Sequence, residues 1–434
     1  MTPQIYNHLG SQPKRRKKMI RAQEKIPEHL PKKLTISFPI WGLFDTGNGY
    51  YHDLDKMMIE HRERGFNCMR IDDGAGLMHD INGKARGAVY FGRGFGEFDK
   101  KMRQSAASGD PGYCDTRERL LELFRAAKRH GVYVILSSWY YLHTYWYVDS
   151  TLAGELAAIP PHDRFMAFAK FLHYILLELE AEGLDSQIAF AEIFNEADGL
   201  SFIDGYGHKN HIDKDELERF RLEHEEAIAW IKERHPQILF AFDSYSYYAD
   251  HDQIPKNIDL YNFHNYFLWR IYHASIESDP TLLSENPIPK EAIRASTKPG
   301  FDAAEDWYER VWFYNNLADY GRANAQGNAY LEEHREELVE WLHKTVEHLR
   351  TDFDGPLSGV PVVSGEGVSY SGTNALVFEE YSETFWGIMR EMIDCYRSLG
   401  LWGTVIRTCC GPEDPVWRTH PDKLLEINER FLKD

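Results

Sequence analysis

Hydrophobic and polar positions follow two rhythms along the chain. Short apolar runs recur at 34–41 (LTISFPIW), 66–71 (FNCMRI), 132–138 (VYVILSS), 187–194 (QIAFAEIF), 237–242 (QILFAF), 258–263 (IDLYNF), 360–365 (VPVVSG) and 402–408 (WGTVIRT). Runs of this length, rich in β-branched and aromatic residues, read as strands buried on both faces. Most are separated by amphipathic stretches such as HDLDKMMIEHRERG (52–65), TRERLLELFRAAKRHG (116–131) and DELERFRLEHEEAIAWIKERH (215–235). Several of these end in a basic residue and then Gly, a normal helix stop. Eight strands alternating with helices predict an α/β fold, a (β/α)8 barrel. A doubly wound sheet is the competitor, but no glycine-rich phosphate loop follows the first run.

Two connections are far longer than ordinary barrel loops. One runs from Asp72 to about Asp115 and carries GAVYFGRGFGEF; the other runs from about Phe267 to Leu357, after the sixth strand, and includes EEHREELVEWLHKTVEHLR (332–350). Both follow a strand, so both belong to the face on which barrel active sites form. They are expected to close a pocket there.

Composition narrows the field. Hydrophobic residues at 43% and aromatics at 14% of 434 residues suffice for one large core, and no linker divides the chain. Domain organisation therefore reads as a basic N-terminal arm, 1–33, followed by a single barrel, 34–434. The formal charge of −19 argues against nucleic acid and anionic membrane as partners. PKRRKK in the arm is the exception, and it reads as a solvated segment on an acidic body. No stretch is apolar enough to span a membrane, and the N-terminus lacks a signal-type apolar core. Five cysteines without CxxC spacing suit reduced thiols in a cytoplasm. No metal site is expected: FPIWGLFD lacks the His-x-His of a metal-dependent barrel hydrolase. Neither is a cofactor.

The candidate chemistry lies in two strand ends. AFAEIFNEADG (189–199) places Asn195 and Glu196 where an apolar run emerges, and VPVVSGEGVSY (360–370) does the same for Glu366 between two glycines. On the strand count these are the fourth and seventh strands, facing one another across the barrel mouth. Two carboxylates over a pocket are what glycosidic cleavage requires: one protonates the leaving oxygen, the other attacks or stabilises the anomeric centre.

At these motifs the chain resembles clan A glycoside hydrolases, in particular the cellulase-like enzymes of family 5. FAEIFNEADG is similar to their fourth-strand signature, with Ala197 and Ala189 as departures. SGEG is similar to the seventh-strand motif, FNCMRID (66–72) to the second and NFHNY (262–266) to the sixth; the usual eighth-strand Trp is not evident in WGTVIRTCCG. The resemblance implies a retaining β-glycoside hydrolase in which Glu196 is the acid/base and Glu366 the nucleophile. Arg70 and Tyr266 would then hold Glu366, His264 would orient Glu196, and Asn195 would bond the sugar 2-hydroxyl. Trp41 and Trp139, just past the first and third strands, are candidate stacking platforms, with packing as the other reading. Asp72 is a candidate sugar ligand or a turn cap. Asp243 and Tyr245 after the fifth strand carry the same two readings. The expected substrate is a short oligosaccharide or small glycoside, in the cytoplasm; oligomeric state is left open. The alternative is a catalytically silent sugar-binding protein of the same fold.

Overall fold

The structure, a computed structural model, describes residues 20–39, 51–101, 111–139, 148, 150–199, 205–208, 211–246, 251–298, 305–355, 357–368 and 373–433. Eight parallel strands close into a barrel: β1 (Leu34–Ser37), β2 (Cys68–Asp72), β3 (Tyr133–Ser137), β4 (Ile188–Glu192), β5 (Phe240–Ser244), β6 (Leu260–Asn265), β7 (Val362–Gly367) and β8 (Gly403–Val405). Each pairs with its neighbours in chain order, and β8 returns to β1 through Leu34↔Gly403 and Ile36↔Val405. All eight lie within or across the apolar runs. Every strand position but Tyr133 is buried, as expected when a barrel core fills one face and helices cover the other.

The helices packed around the strands are α1 (Leu54–Glu63), α2 (Thr116–His130), α3 (Arg164–Ala181), α4 (Leu217–Arg234), α5 (Arg335–Asp354), α6 (Glu383–Leu399) and α7 (Pro421–Leu432). Their ends follow local chemistry. The Asp115 carboxylate accepts from the Glu118 amide to start α2, and Gly131 at φ 62° stops it. Ser382 and Gly400 do the same for α6. Between β5 and β6 the described residues form only the short 3₁₀ turn His251–Gln253.

The barrel interior is built from Leu34, Ile36, Cys68, Ile135, Ala189, Phe190, Ala241, Leu260, Val363, Trp402 and Val405, and Ile26 and Leu30 complete it. The packing thus extends below residue 34, into the segment read from sequence as arm. Arg21 N donates to Gly400 O at 2.9 Å, Trp402 Nε1 to Pro31 O at 2.9 Å, and Tyr133 Oη to His29 O at 2.7 Å. Residues 20–33 seal the barrel floor, and burying Ile26 and Leu30 stabilises that seal by about 1.5–3 kcal/mol each. PKRRKK lies outside the described residues.

The two long insertions meet. The first carries the hairpin Val89–Phe91/Gly112–Cys114 and the turn Gly96–Lys101. The second carries the helices Lys290–Ser296, Glu305–Asn316 and Tyr320–Glu333 before α5. Lys298 N donates to Gly94 O at 2.9 Å, and Asn315 Nδ2 to Phe98 O at 2.8 Å; Phe95 packs edge-to-face on Tyr308 at 5.2 Å. Gly96, at φ 62°, allows this junction, because a Cβ there would lie 2.3 Å from Ser296 Oγ.

Candidate active site

Six strands contribute side chains to one buried cluster at the C-terminal end of the barrel. Its centre is Arg70 of β2, wholly buried. Arg70 Nη1 donates to Glu366 Oε1 at 2.5 Å, and Nη2 to Glu192 Oε2 at 2.7 Å, Asn195 Oδ1 at 2.6 Å and Ser137 Oγ at 3.1 Å. Nη2 also reaches Asp243. Burial works against the guanidinium charge, but Glu192, Asp243 and Glu366 outweigh it and hold its pKa above the usual value. The Trp139 ring lies 4.6 Å from the guanidinium carbon and packs edge-to-face on Phe38. Trp139 is therefore a wall behind Arg70, only 4% exposed.

Glu366 sits on β7, where the ladder to β6 slips: Phe263 faces Ser364, but His264 faces Glu366. Gly365 is the extra residue. This bulge re-aims the strand and sets His264 beside Glu366. Glycine is required there because a Cβ would fall 2.3 Å from Asn262 Nδ2. Tyr266 Oη donates to Glu366 Oε2 at 2.5 Å, and Thr408 Oγ1 donates to Tyr266 Oη at 3.1 Å. Burial would raise the Glu366 pKa; His264, Arg70 and the Tyr266 hydrogen bond outweigh it and lower it. Glu366 is an ionised carboxylate with both oxygens fixed.

Glu196 stands four residues past the end of β4, in a turn rather than on the strand. Its φ of 51° lies in the left-handed region, uncommon for a side-chain-bearing residue and costly enough to need support from its surroundings. That support includes His264, whose Nδ1 donates to Glu196 Oε1 at 2.5 Å. His264 Nε2 lies 2.9 Å from Asp243 Oδ1 and 3.6 Å from Glu366 Oε1. Burial lowers the His264 pKa, but Asp243, Glu366 and Glu196 together raise it well above the ordinary value. Burial, then Glu192, raises the Asp243 pKa well above the ordinary value, against the opposing pull of His264 and Arg70. A carboxylate oxygen of Glu196 and one of Glu366 lie within 4.8 Å of one another, with a His264 nitrogen within the same distance of both. That spacing could also gather a metal ion. Arg70 and Tyr266 already occupy the Glu366 oxygens, however, and two cationic side chains face four carboxylates across the cluster. The excess negative charge favours retaining a proton, which is a resource for acid catalysis.

The expected residues separate into three groups. Arg70, Asn195, Glu196, His264, Tyr266 and Glu366 are joined in one network. Asp72 gives its Oδ1 to the Gly74 amide at 3.0 Å and stands 3.5 Å from the Trp139 amide, a turn-capping position; Trp139 packs as described. Trp41 lies outside the described residues. Asp243 proves to be a member of the network, whereas Tyr245 is 40% exposed. Sequence reasoning did not single out Asn262, which donates to Glu192 Oε1 at 2.6 Å, or Thr408. Nor did it single out Glu192, which lies within the FAEIFNEADG motif. A polar residue inside an apolar run was the available signal for Glu192 and Asn262. Just past the eighth strand, Arg407 pairs with Glu380 at 3.0 Å instead of presenting an aromatic face.

No protein-family model and no curated protein sequence matches the chain. Solved structures do. A candidate glycoside hydrolase from Parabacteroides distasonis superposes with a TM-score of 0.64 at 17% identity, covering 92% of this chain and 93% of that one. A GH5-4 broad specificity endoglucanase from an uncultured bacterium gives 0.51 at 9% identity, covering 96% and 97%. A glycoside hydrolase family 5 enzyme from Prevotella bryantii gives 0.50 at 12% identity, covering 95% and 98%. At these identities the likeness is one of fold: the chain is a (β/α)8 barrel of the architecture that those glycoside hydrolases use.

Proposed function

We propose that the protein is a retaining β-glycoside hydrolase acting on short oligosaccharides or small glycosides by double displacement. The observation that carries this reading is the pair Glu196 and Glu366, with oxygens within 4.8 Å, over a barrel mouth. Retaining glycosidases hold their carboxyl groups about 5–5.5 Å apart, whereas inverting ones leave roughly 6.5–9.5 Å for a water. The different surroundings of the two groups suit two roles. Glu366, kept ionised by Arg70 and Tyr266, attacks the anomeric carbon. Glu196, hydrogen-bonded to His264, gives its proton to the leaving oxygen and then takes one from the water that hydrolyses the glycosyl-enzyme. Asn195, positioned by Arg70, faces the same site and is assigned the sugar 2-hydroxyl.

The fold shared with glycoside hydrolases supports the reading. The joined insertions support a pocket over an open groove. Five cysteines, none in a disulfide, are in keeping with a cytoplasmic setting, and no described helix is long and apolar enough to cross a membrane. The test is a panel of nitrophenyl β-glycosides with wild type and Glu366→Gln. At least one substrate should be turned over by the wild type and by Glu366→Gln not at all. Silence of the wild type across the panel, with sugar binding retained, would instead support a non-catalytic sugar-binding protein.

A further inference from the structure

Outside the barrel, α5 and α6 pack against each other and bring three donor groups together. His343 comes from α5; Glu391 and Cys395 come from α6, one turn apart, so their side chains share a face. Their ligand atoms all lie within 4.8 Å of one another, and His343 Nε2 is 2.9 Å from Glu391 Oε1. We propose that His343, Glu391 and Cys395 form a binding site for a divalent metal of the zinc class, separate from the catalytic cluster.

Four observations bear on this. The donor set is one nitrogen, one oxygen and one sulfur, a mixture that suits zinc and disfavours magnesium or calcium. An imidazole, a carboxylate and a thiolate together neutralise a dication. Zinc bonds of about 2.0–2.3 Å place donors roughly 3.3–3.8 Å apart, so the side chains need only small adjustments. The side chains of His343 and Glu391 are 52% and 46% exposed, free to adjust and open to solvent. Three protein ligands leave the fourth tetrahedral position to water. Binding replaces the His343–Glu391 hydrogen bond and releases the Cys395 thiol proton to solvent. The other chemistry open to Cys, His and Glu, an activated nucleophile, fits less well. Burial, then Glu391 and Asp394, pushes the Cys395 thiol up to about 11, so it is not a thiolate by itself.

The remaining cysteines, Cys68, Cys114, Cys409 and Cys410, are all buried, so a thiol reagent on the native protein reads Cys395. Alkylation should be slowed by zinc in proportion to occupancy, about tenfold at ten times the dissociation constant. His343→Ala and Glu391→Gln should each abolish most of that protection. Cobalt should give a thiolate-to-metal absorption band in wild type and none in Cys395→Ser; the catalytic cluster has no sulfur and cannot supply it. Full-rate alkylation in excess zinc overturns the proposal. So does protection that survives both His343→Ala and Glu391→Gln, which would mean binding to a bare thiol.

Discussion

Tyr266→Phe removes one oxygen from the site and leaves the ring packing in place. In wild type that hydroxyl donates to Glu366 Oε2 at 2.5 Å. A hydrogen bond to a charged group contributes about 1.5–3 kcal/mol. Its strength follows the charge on Glu366, which vanishes when the carboxylate becomes an ester and returns as the sugar departs. Loss of the hydroxyl therefore penalises the second step, breakdown of the glycosyl-enzyme. At about 1.4 kcal/mol per factor of ten, kcat should fall by roughly 10- to 150-fold. KM should fall with it, because the intermediate accumulates, and a dinitrophenyl glycoside should give a burst. The same loss lets the Glu366 pKa rise. Activity is lost as pH falls through that pKa, so the acidic limb of kcat/KM should move to higher pH. Stopped-flow release of dinitrophenol and a pH series measure all three. An unchanged kcat with a raised KM would mean that Tyr266 only binds sugar, and the assignment of Glu366 as nucleophile would lose its main support.

The two carboxylates can be told apart by azide. Glu196→Ala should retain activity on substrates with good leaving groups and should yield a β-glycosyl azide; if Glu366→Gly gives the β-azide, the roles are reversed. Product profile tests the pocket: soluble β-glucan and β-mannan should release small sugars with little early fall in viscosity, and a rapid drop would mean an open groove. Acid stability tests the buried histidines. Burial lowers His224 to about 3 and His61 to about 4. Their contribution is complete above pH 6.5, the unfolded value, and is lost as pH falls towards those folded values. For His224, stacked on Phe165 at 4.2 Å, the loss amounts to about 4 kcal/mol. Urea unfolding of His224→Leu should accordingly show a shallower decline between pH 6.5 and 3 than wild type; equal slopes would refute the linkage.

Much of this molecule is written locally. Apolar runs, amphipathic stretches, the Asp115 cap and the Gly131 stop depend on near neighbours in the chain, and they specified the eight strands and the helix between β2 and β3. The same locality made Glu196 and Glu366 visible, because a carboxylate at the end of an apolar run stands out without knowledge of its partners. What joins them is not local. Arg70 meets Glu366 across 296 positions and Asp243 across 173, so its role as the hub of three carboxylates exists only once the barrel closes. The slip at Gly365 depends on the register of β6 against β7, a long-range choice made by packing against Asn262. Ile26 and Leu30 sit in a segment whose charge reads as solvated. Only the open floor of the barrel, an apolar surface that must be covered, makes them core residues. The junction of the two insertions is of the same kind: neither Phe95 nor Tyr308 carries a mark of the other, and the tertiary fold alone brings them to 5.2 Å.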